Sequence, residues 1–232
     1  MRHYLIIGAS SGIGQELAKK LAGAGNQVTA TFYKNEPSVS RPNIQFHQLN
    51  VLDESFSLDF LPDELAGFVY CPGSINLRPF ERIKLSDFEL DYKLQVTGAI
   101  KCLQIALPAL KKSANASIVL FSSVAVQTGL PFHTQVSASK GALEGLTRAL
   151  AAEYAPDIRV NCIAPSLTDT RLAASLLNTD HKREVNALRH PLKRIGSAED
   201  IANVAAFLLT EKATWITGQI LHVDGGMSSL KT

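Results

Sequence analysis

The amino-acid sequence predicts an α/β fold, an open and doubly wound parallel sheet of about seven strands with helices on both faces. Three observations predict it. Short β-rich apolar runs alternate with longer stretches of helical spacing, as in chained β-α-β units. A glycine cluster separates the first apolar run from the first helical stretch. The 232 residues, 46% hydrophobic and 19% charged, carry enough apolar material for one large core, so residues 1–232 are read as a single domain.

Taken in order, strands are expected at Tyr4 to Ile7, Val28 to Phe32, Ile44 to Leu49, Gly67 to Cys71, Ser117 to Phe121, Arg159 to Ile163 and Ile220 to Val223. Between them, helical spacing runs from about Ile13 to Ala24, Asp87 to Leu110, Gln135 to Tyr154 and Ala198 to Leu209. No internal repeat or low-complexity linker interrupts the series. The most polar stretch, Asn178 to Arg194, is too short to separate domains and reads as a mobile substrate loop.

Charge and composition exclude several classes. Lys and Arg number 23 against 21 Asp and Glu, a formal net charge of +2, and no basic stripe marks a surface for a phosphate backbone, so no nucleic-acid partner is expected. The N-terminal apolar run is too short for a secretory leader and passes straight into the glycine turn. The window from Ser113 to Ser139 lacks charged residues, but Gly129, Pro131 and several polar residues interrupt it, so no membrane span is expected. Cys71, Cys102 and Cys162 are odd in number, far apart and set in apolar stretches that read as core, which suits a reducing, cytoplasmic setting. No metal site is expected.

The turn Gly8-Ala9-Ser10-Ser11-Gly12-Ile13-Gly14 follows a strand and opens a helix. There a diphosphate meets free backbone N–H groups and the positive helix end. Gly8 suits the tight turn, Gly12 lets the backbone approach phosphate without a Cβ, and Gly14 lets helix pack closely on strand. Flanked in this way, the cluster points to dinucleotide binding.

Three residues between the first two glycines is a spacing that resembles the short-chain dehydrogenase/reductase family. The likeness continues through Ser122-Ser123-Val124, Ser137-Ala138-Ser139-Lys140, Arg159-Val160-Asn161-Cys162-Ile163-Ala164-Pro165 and Val223-Asp224-Gly225-Gly226, covering the whole chain in order. The resemblance implies a Rossmann-type sheet, a nicotinamide coenzyme, a small-molecule substrate, and a homo-tetramer or homo-dimer joined through the long helices near Asp87 and Gln135. It places the coenzyme against Gly8, Ser10, Ser11, Gly12, Ile13 and Gly14, its adenine by Asn50 and Val51, and its carboxamide by Pro165 and Thr170. Where the family often has Gly after that proline, this chain has Ser166. In Tyr70-Cys71-Pro72-Gly73, after the fourth strand, only Gly73 matches the family's Asn-Asn-Ala-Gly.

The second strand ends in Thr31-Phe32-Tyr33-Lys34, with no acidic residue before Glu36. An NAD site usually places a carboxylate there for the ribose 2′-OH. Tyr33 and Lys34, with Ser11, instead suit a 2′-phosphate, so NADP(H) is expected over NAD(H).

The catalytic pattern breaks at one position. The family's tyrosine, four residues before Lys140, is Val136 here, and thirteen residues on from Ser123 also lands on Val136. Tyr154 lies fourteen residues past Lys140, about 21 Å away at about 1.5 Å per residue, too far to substitute. Losing a positioned acid typically costs about 10²- to 10⁴-fold. The resemblance assigns Ser123 to the substrate oxygen, Lys140 to the nicotinamide ribose, and Gln95, in place of an asparagine, to a relay water. His133, seven residues before Lys140, resembles the tyrosine position of divergent enoyl-thioester reductases, although Pro131 argues for a loop there.

Two functions follow as expectations. The first is an oxidoreductase moving hydride between NADP(H) and a small carbonyl or alcohol, with Ser123, Lys140, Gln95 and His133 around the reacting group. The second, prompted by Val136, is a coenzyme-binding module that has lost chemistry and serves as a sensor or scaffold.

Overall fold

The computed structural model describes residues 1–37 and 39–231. Its strands are β1 (His3–Ile7), β2 (Gln27–Phe32), β3 (Ile44–Gln48), β4 (Gly67–Tyr70), β5 (Ala116–Phe121), β6 (Ile158–Pro165), β7 (Thr168–Asp169), β8 (Gly196–Ser197) and β9 (Ile220–Val223). Seven of them form one parallel sheet in the order β3-β2-β1-β4-β5-β6-β9, while β7 pairs with β8 in a separate two-stranded ladder. The helices are α1 (Gly12–Gly23), α2 (Leu85–Tyr92), α3 (Gly98–Leu110), α4 (Ala125–Thr128), α5 (Thr134–Tyr154), α6 (Asp180–Leu188) and α7 (Ala198–Leu209).

Alternation along the strands explains the layers. Leu5 and Ile7 enter one core with Leu103, Ala106 and Leu143 from α3 and α5. Tyr4 and Ile6 face the opposite way, into a second core with Leu17 and Leu21 of α1 and Leu208 of α7. With helices on both faces, β1, β4 and β5 are buried on both sides and read as nearly continuous apolar runs.

Two expectations change. The single helix expected from Asp87 to Leu110 begins at Leu85 and is interrupted by a π-helical turn at Lys93–Thr97. The expected loop from Asn178 to Arg194 holds α6, which has no buried residue. Local signals build α6: the Thr179 hydroxyl accepts from Lys182 N at 3.2 Å, and Asp180 stands in the first turn beside the positive helix end. Among the described residues, no helix is long and apolar enough to cross a membrane.

Candidate active site

The strand order reverses direction between β1 and β4, and ligand crevices form at the carboxyl ends beside such a switch. Here a cavity of about 730 Å³ opens, lined by the turn after β1 and by the segments following β2 to β6. At one end Gly8 has φ +81° and Gly12 φ +57°, backbone that L side chains rarely adopt. A Cβ on Gly12 would lie 3.3 Å from Thr170 Cγ2, and one on Gly14 would lie 2.3 Å from the Gly8 carbonyl oxygen. The turn is tied to β2: Gly8 N donates to Thr31 Oγ1 at 3.0 Å and Ala9 N to the Thr31 carbonyl at 2.7 Å. Ser11 at the N-cap of α1 makes no side-chain cap, and the first turn carries no acidic residue. The first N–H groups of that helix therefore point into the cavity without a protein acceptor. This cradle, shaped by missing side chains and lined with amides, suits the diphosphate of a dinucleotide.

The other end is built by side chains. Ser123 follows β5, and its Oγ accepts from Ala125 N at 3.2 Å. Val136 and Lys140 lie one turn apart on α5, both buried against the cavity. Burial pulls the Lys140 ammonium down to about 8, partly offset by Cys162, Asp91 and Cys71. Gln95, fully buried in the π-helical turn, donates through Nε2 to both carboxylate oxygens of Asp91 at 2.8 Å. Because a carboxylate presents acceptors to that amide, the Gln95 carbonyl must face the other way. Among the described residues Gln95 Oε1 has no hydrogen-bond partner and, with Lys140 Nζ, it approaches the empty Cβ position of Gly73, at 3.3 and 3.8 Å respectively. A buried unpaired carbonyl calls for a donor such as water or an ammonium.

Asp91 organises this end. It also accepts from the Ser139 hydroxyl at 2.6 Å and from the Ser74 hydroxyl. Neither Asp91 nor its two serines was expected from sequence. The local signal available was an aspartate four residues before Gln95, a spacing that places both on one helical face.

The expected site residues gather as follows. Gly8, Ser10, Ser11, Gly12, Ile13, Gly14, Tyr33, Asn50, Val51, Gly73, Gln95, Ser123, His133, Lys140, Pro165 and Thr170 all line the one cavity. Lys34 does not; its ammonium stands 5.1 Å from the ring centroid of Tyr33. His133 forms the N-cap of α5 rather than a further helical turn. Its Nδ1 lies 2.7 Å from the Pro131 carbonyl, which can only accept. Nδ1 therefore carries hydrogen, and in the neutral ring Nε2 is an acceptor. Cys102 and Cys162 are core residues as expected, whereas Cys71 lines the cavity, where burial pushes its thiol up to about 12.

Comparison with known proteins agrees with this architecture. A family model described as enoyl-(acyl carrier protein) reductase matches residues 8–228. The chain is 34% identical over 242 residues to 3-oxoacyl-(acyl-carrier-protein) reductase of Aquifex aeolicus, covering 96% of both chains. The Pseudomonas aeruginosa RhlG/NADP active-site complex superposes with a TM-score of 0.91 at 28% identity, covering 98% of this chain and 96% of that one. The ligand-free aldohexose dehydrogenase of Thermoplasma acidophilum gives a TM-score of 0.91 at 26% identity, covering 100% and 96%. On a family match that runs from the glycine turn almost to the C-terminus, the protein belongs to the short-chain dehydrogenase/reductase family.

Proposed function

We propose that this protein is an NADP(H)-dependent oxidoreductase acting between a small carbonyl compound and its alcohol. The observation that carries the reading is one cavity with an amide-lined phosphate cradle at one end and Ser123, Lys140 and the unpaired Gln95 carbonyl at the other. When bound, the nicotinamide coenzyme supplies or receives the hydride. The turn from Gly8 to Gly14 holds the diphosphate, Asn50 and Val51 flank the adenine, and Pro165 with Thr170 face the carboxamide. NADP(H) is favoured because no aspartate or glutamate among the described residues lines the cavity, and Lys34 lies over the cavity-lining Tyr33.

At the reacting end, the Ser123 hydroxyl donates to the substrate oxygen and Lys140 holds the nicotinamide ribose as an ammonium. Val136 occupies the place of the family's tyrosine and has no proton to give. The proton then comes through water held between Gln95 Oε1 and Lys140. Burial eases proton loss from Lys140, because it lowers the cost of leaving the amine neutral. His133 joins this path only as imidazolium, since its neutral Nε2 accepts. The protein acts in the cytoplasm as a homo-dimer or homo-tetramer, joined by α2–α3 and α5.

NADPH oxidation against a carbonyl panel tests the reading, with Lys140→Ala beside wild type. Turnover that collapses in the variant is the expected result; no turnover in either, with tight NADP(H) binding by calorimetry, gives the case to the second reading. That second reading, a nucleotide sensor or scaffold, is favoured by the apolar Val136 side chain alone.

A further inference from the structure

We infer that the substrate carries a carboxylate, held at the cavity mouth by Arg171 and Arg189; the inference rests on the oxidoreductase reading above. Among the described residues, the charged side chains lining the cavity are Lys140, Arg171 and Arg189, with no acidic residue to balance them. The segment from Arg171 to Arg194 contains four arginines, and they divide cleanly. Arg183 pairs with Asp169 at 2.7 Å and Arg194 with Asp200 at 2.6 Å, and neither lines the cavity. Arg171 and Arg189 line it and have no carboxylate within 4.0 Å among the described residues. The arginines that tie the fold together are thus distinct from those that face the ligand space.

Their positions are fixed by the backbone beneath them. Arg171 opens the 3-10 helix Arg171–Leu176 directly after Thr170. Arg189 is the C-cap of α6, and the next residue, His190, is buried. The His190 ring bonds Ser166 Oγ at 2.8 Å and approaches the Asn186 carbonyl at 2.8 Å, pinning the end of α6 to the loop after β6. The negative end of α6 would by itself favour a cation at Arg189, but Arg171 begins its helix and has no such reason to be basic. Beside these three cations the cavity has a large apolar lining, which includes Leu130, Val136, Leu167, Leu172, Leu176 and Met227. An aliphatic oxo acid fits this lining, with its carbonyl at Ser123, its chain against the leucines and its carboxylate drawn to the guanidinium groups, which recognise carboxylates in planar pairs of hydrogen bonds.

Straight-chain oxo acids of graded length, each paired with its methyl ester, test this on the full chain with NADPH. The pairs differ in charge and little in shape. Charge-assisted hydrogen bonds predict that the best acid has a KM roughly ten- to a hundredfold below its ester. Arg171→Ala and Arg189→Ala should each move the acid-to-ester KM ratio toward one. Calorimetry of the same pairs on NADPH-loaded protein reads the same ratio as Kd, so an absence of turnover still yields an answer. A ratio near one in wild type for every pair overturns the inference while leaving the oxidoreductase reading intact. So does an unchanged ratio in both variants, including the case where they lose NADPH affinity instead, which assigns the arginines to a coenzyme phosphate. Failure of wild type to bind NADPH removes both readings.

Discussion

The two ends of the cavity are made of different material. At the glycine end the backbone itself is the binding surface, and its shape comes from atoms that are absent: no Cβ at Gly8, Gly12 or Gly14. At the mouth, the surface is made of long side chains on short exposed elements, with Leu172 half exposed and Arg171 and Arg189 facing solvent. The first arrangement tolerates almost no change, while the second can be altered without touching the core. Nucleotide binding and substrate choice are thereby separable in this chain.

The Val136–Lys140 face supplies the largest expected effect. Val136→Tyr should raise NADPH-dependent turnover by about 10²- to 10⁴-fold if the surrounding relay is intact. Unchanged turnover with unchanged coenzyme binding would show that the reacting end has been rebuilt along with the valine. Gly14→Ala sharpens the contrast between the ends, because its Cβ falls 2.3 Å from the Gly8 carbonyl oxygen. Overpacking of about 1–3 kcal/mol is expected by chemical denaturation, with weakened NADP(H) binding by titration. Leu172→Ala at the mouth should stay within about 0.5 kcal/mol in the same denaturation assay. If the two variants matched, the contrast between the ends would be lost.

Asp91→Asn removes the charge and one of the two acceptor oxygens that orient Gln95, and puts a donor in that oxygen's place. A cost of about 1–3 kcal/mol in the transition state is expected, read as a fall in kcat larger than any change in KM. Equal effects on both would make Asp91 a purely structural residue. The smallest effect is in pH. The Lys140 ammonium, lowered to about 8 by burial, is protonated below that value and neutral above it. Its grip on the ribose should weaken as pH rises through about 8, so NADP(H) affinity falls there in wild type and stays flat in Lys140→Met. A parallel fall in the variant would put the titration elsewhere.

The glycine end was readable in the sequence because its chemistry is local: the strand, the turn and the helix are consecutive, and each glycine answers a backbone demand. Strands β1, β4 and β5 were readable for a similar reason, since burial on both faces leaves continuous apolar runs; the edge strand Ile220–Val223 and the helix Ala198–Leu209 also agree with expectation at both ends. The Asp91 cluster was not, because Ser74 and Ser139 reach Asp91 from positions 17 and 48 residues away. No spacing rule connects them. Helix α6 escaped notice because it is short and mostly polar, with only Val185, Ala187 and Leu188 apolar, too few to make a core-facing run. That Tyr33 lines the cavity, and Lys34 does not, depends on side-chain directions, which a linear pattern does not encode.

The π-helical turn at Lys93–Thr97 has a wider consequence. A wide turn accommodates one residue more than an α-helical one, and each residue of an α-helix turns the chain by about 100°. The Tyr70 hydroxyl, donating to the Leu94 carbonyl at 2.6 Å, pins this surplus residue in place. Excising one amino acid here would leave the inner stripe of α3 seated against the sheet while swinging α2 around by about 100°, carrying Asp91 away from Ser74 and Ser139. A single codon is therefore the margin by which this helix serves structural and chemical masters at once.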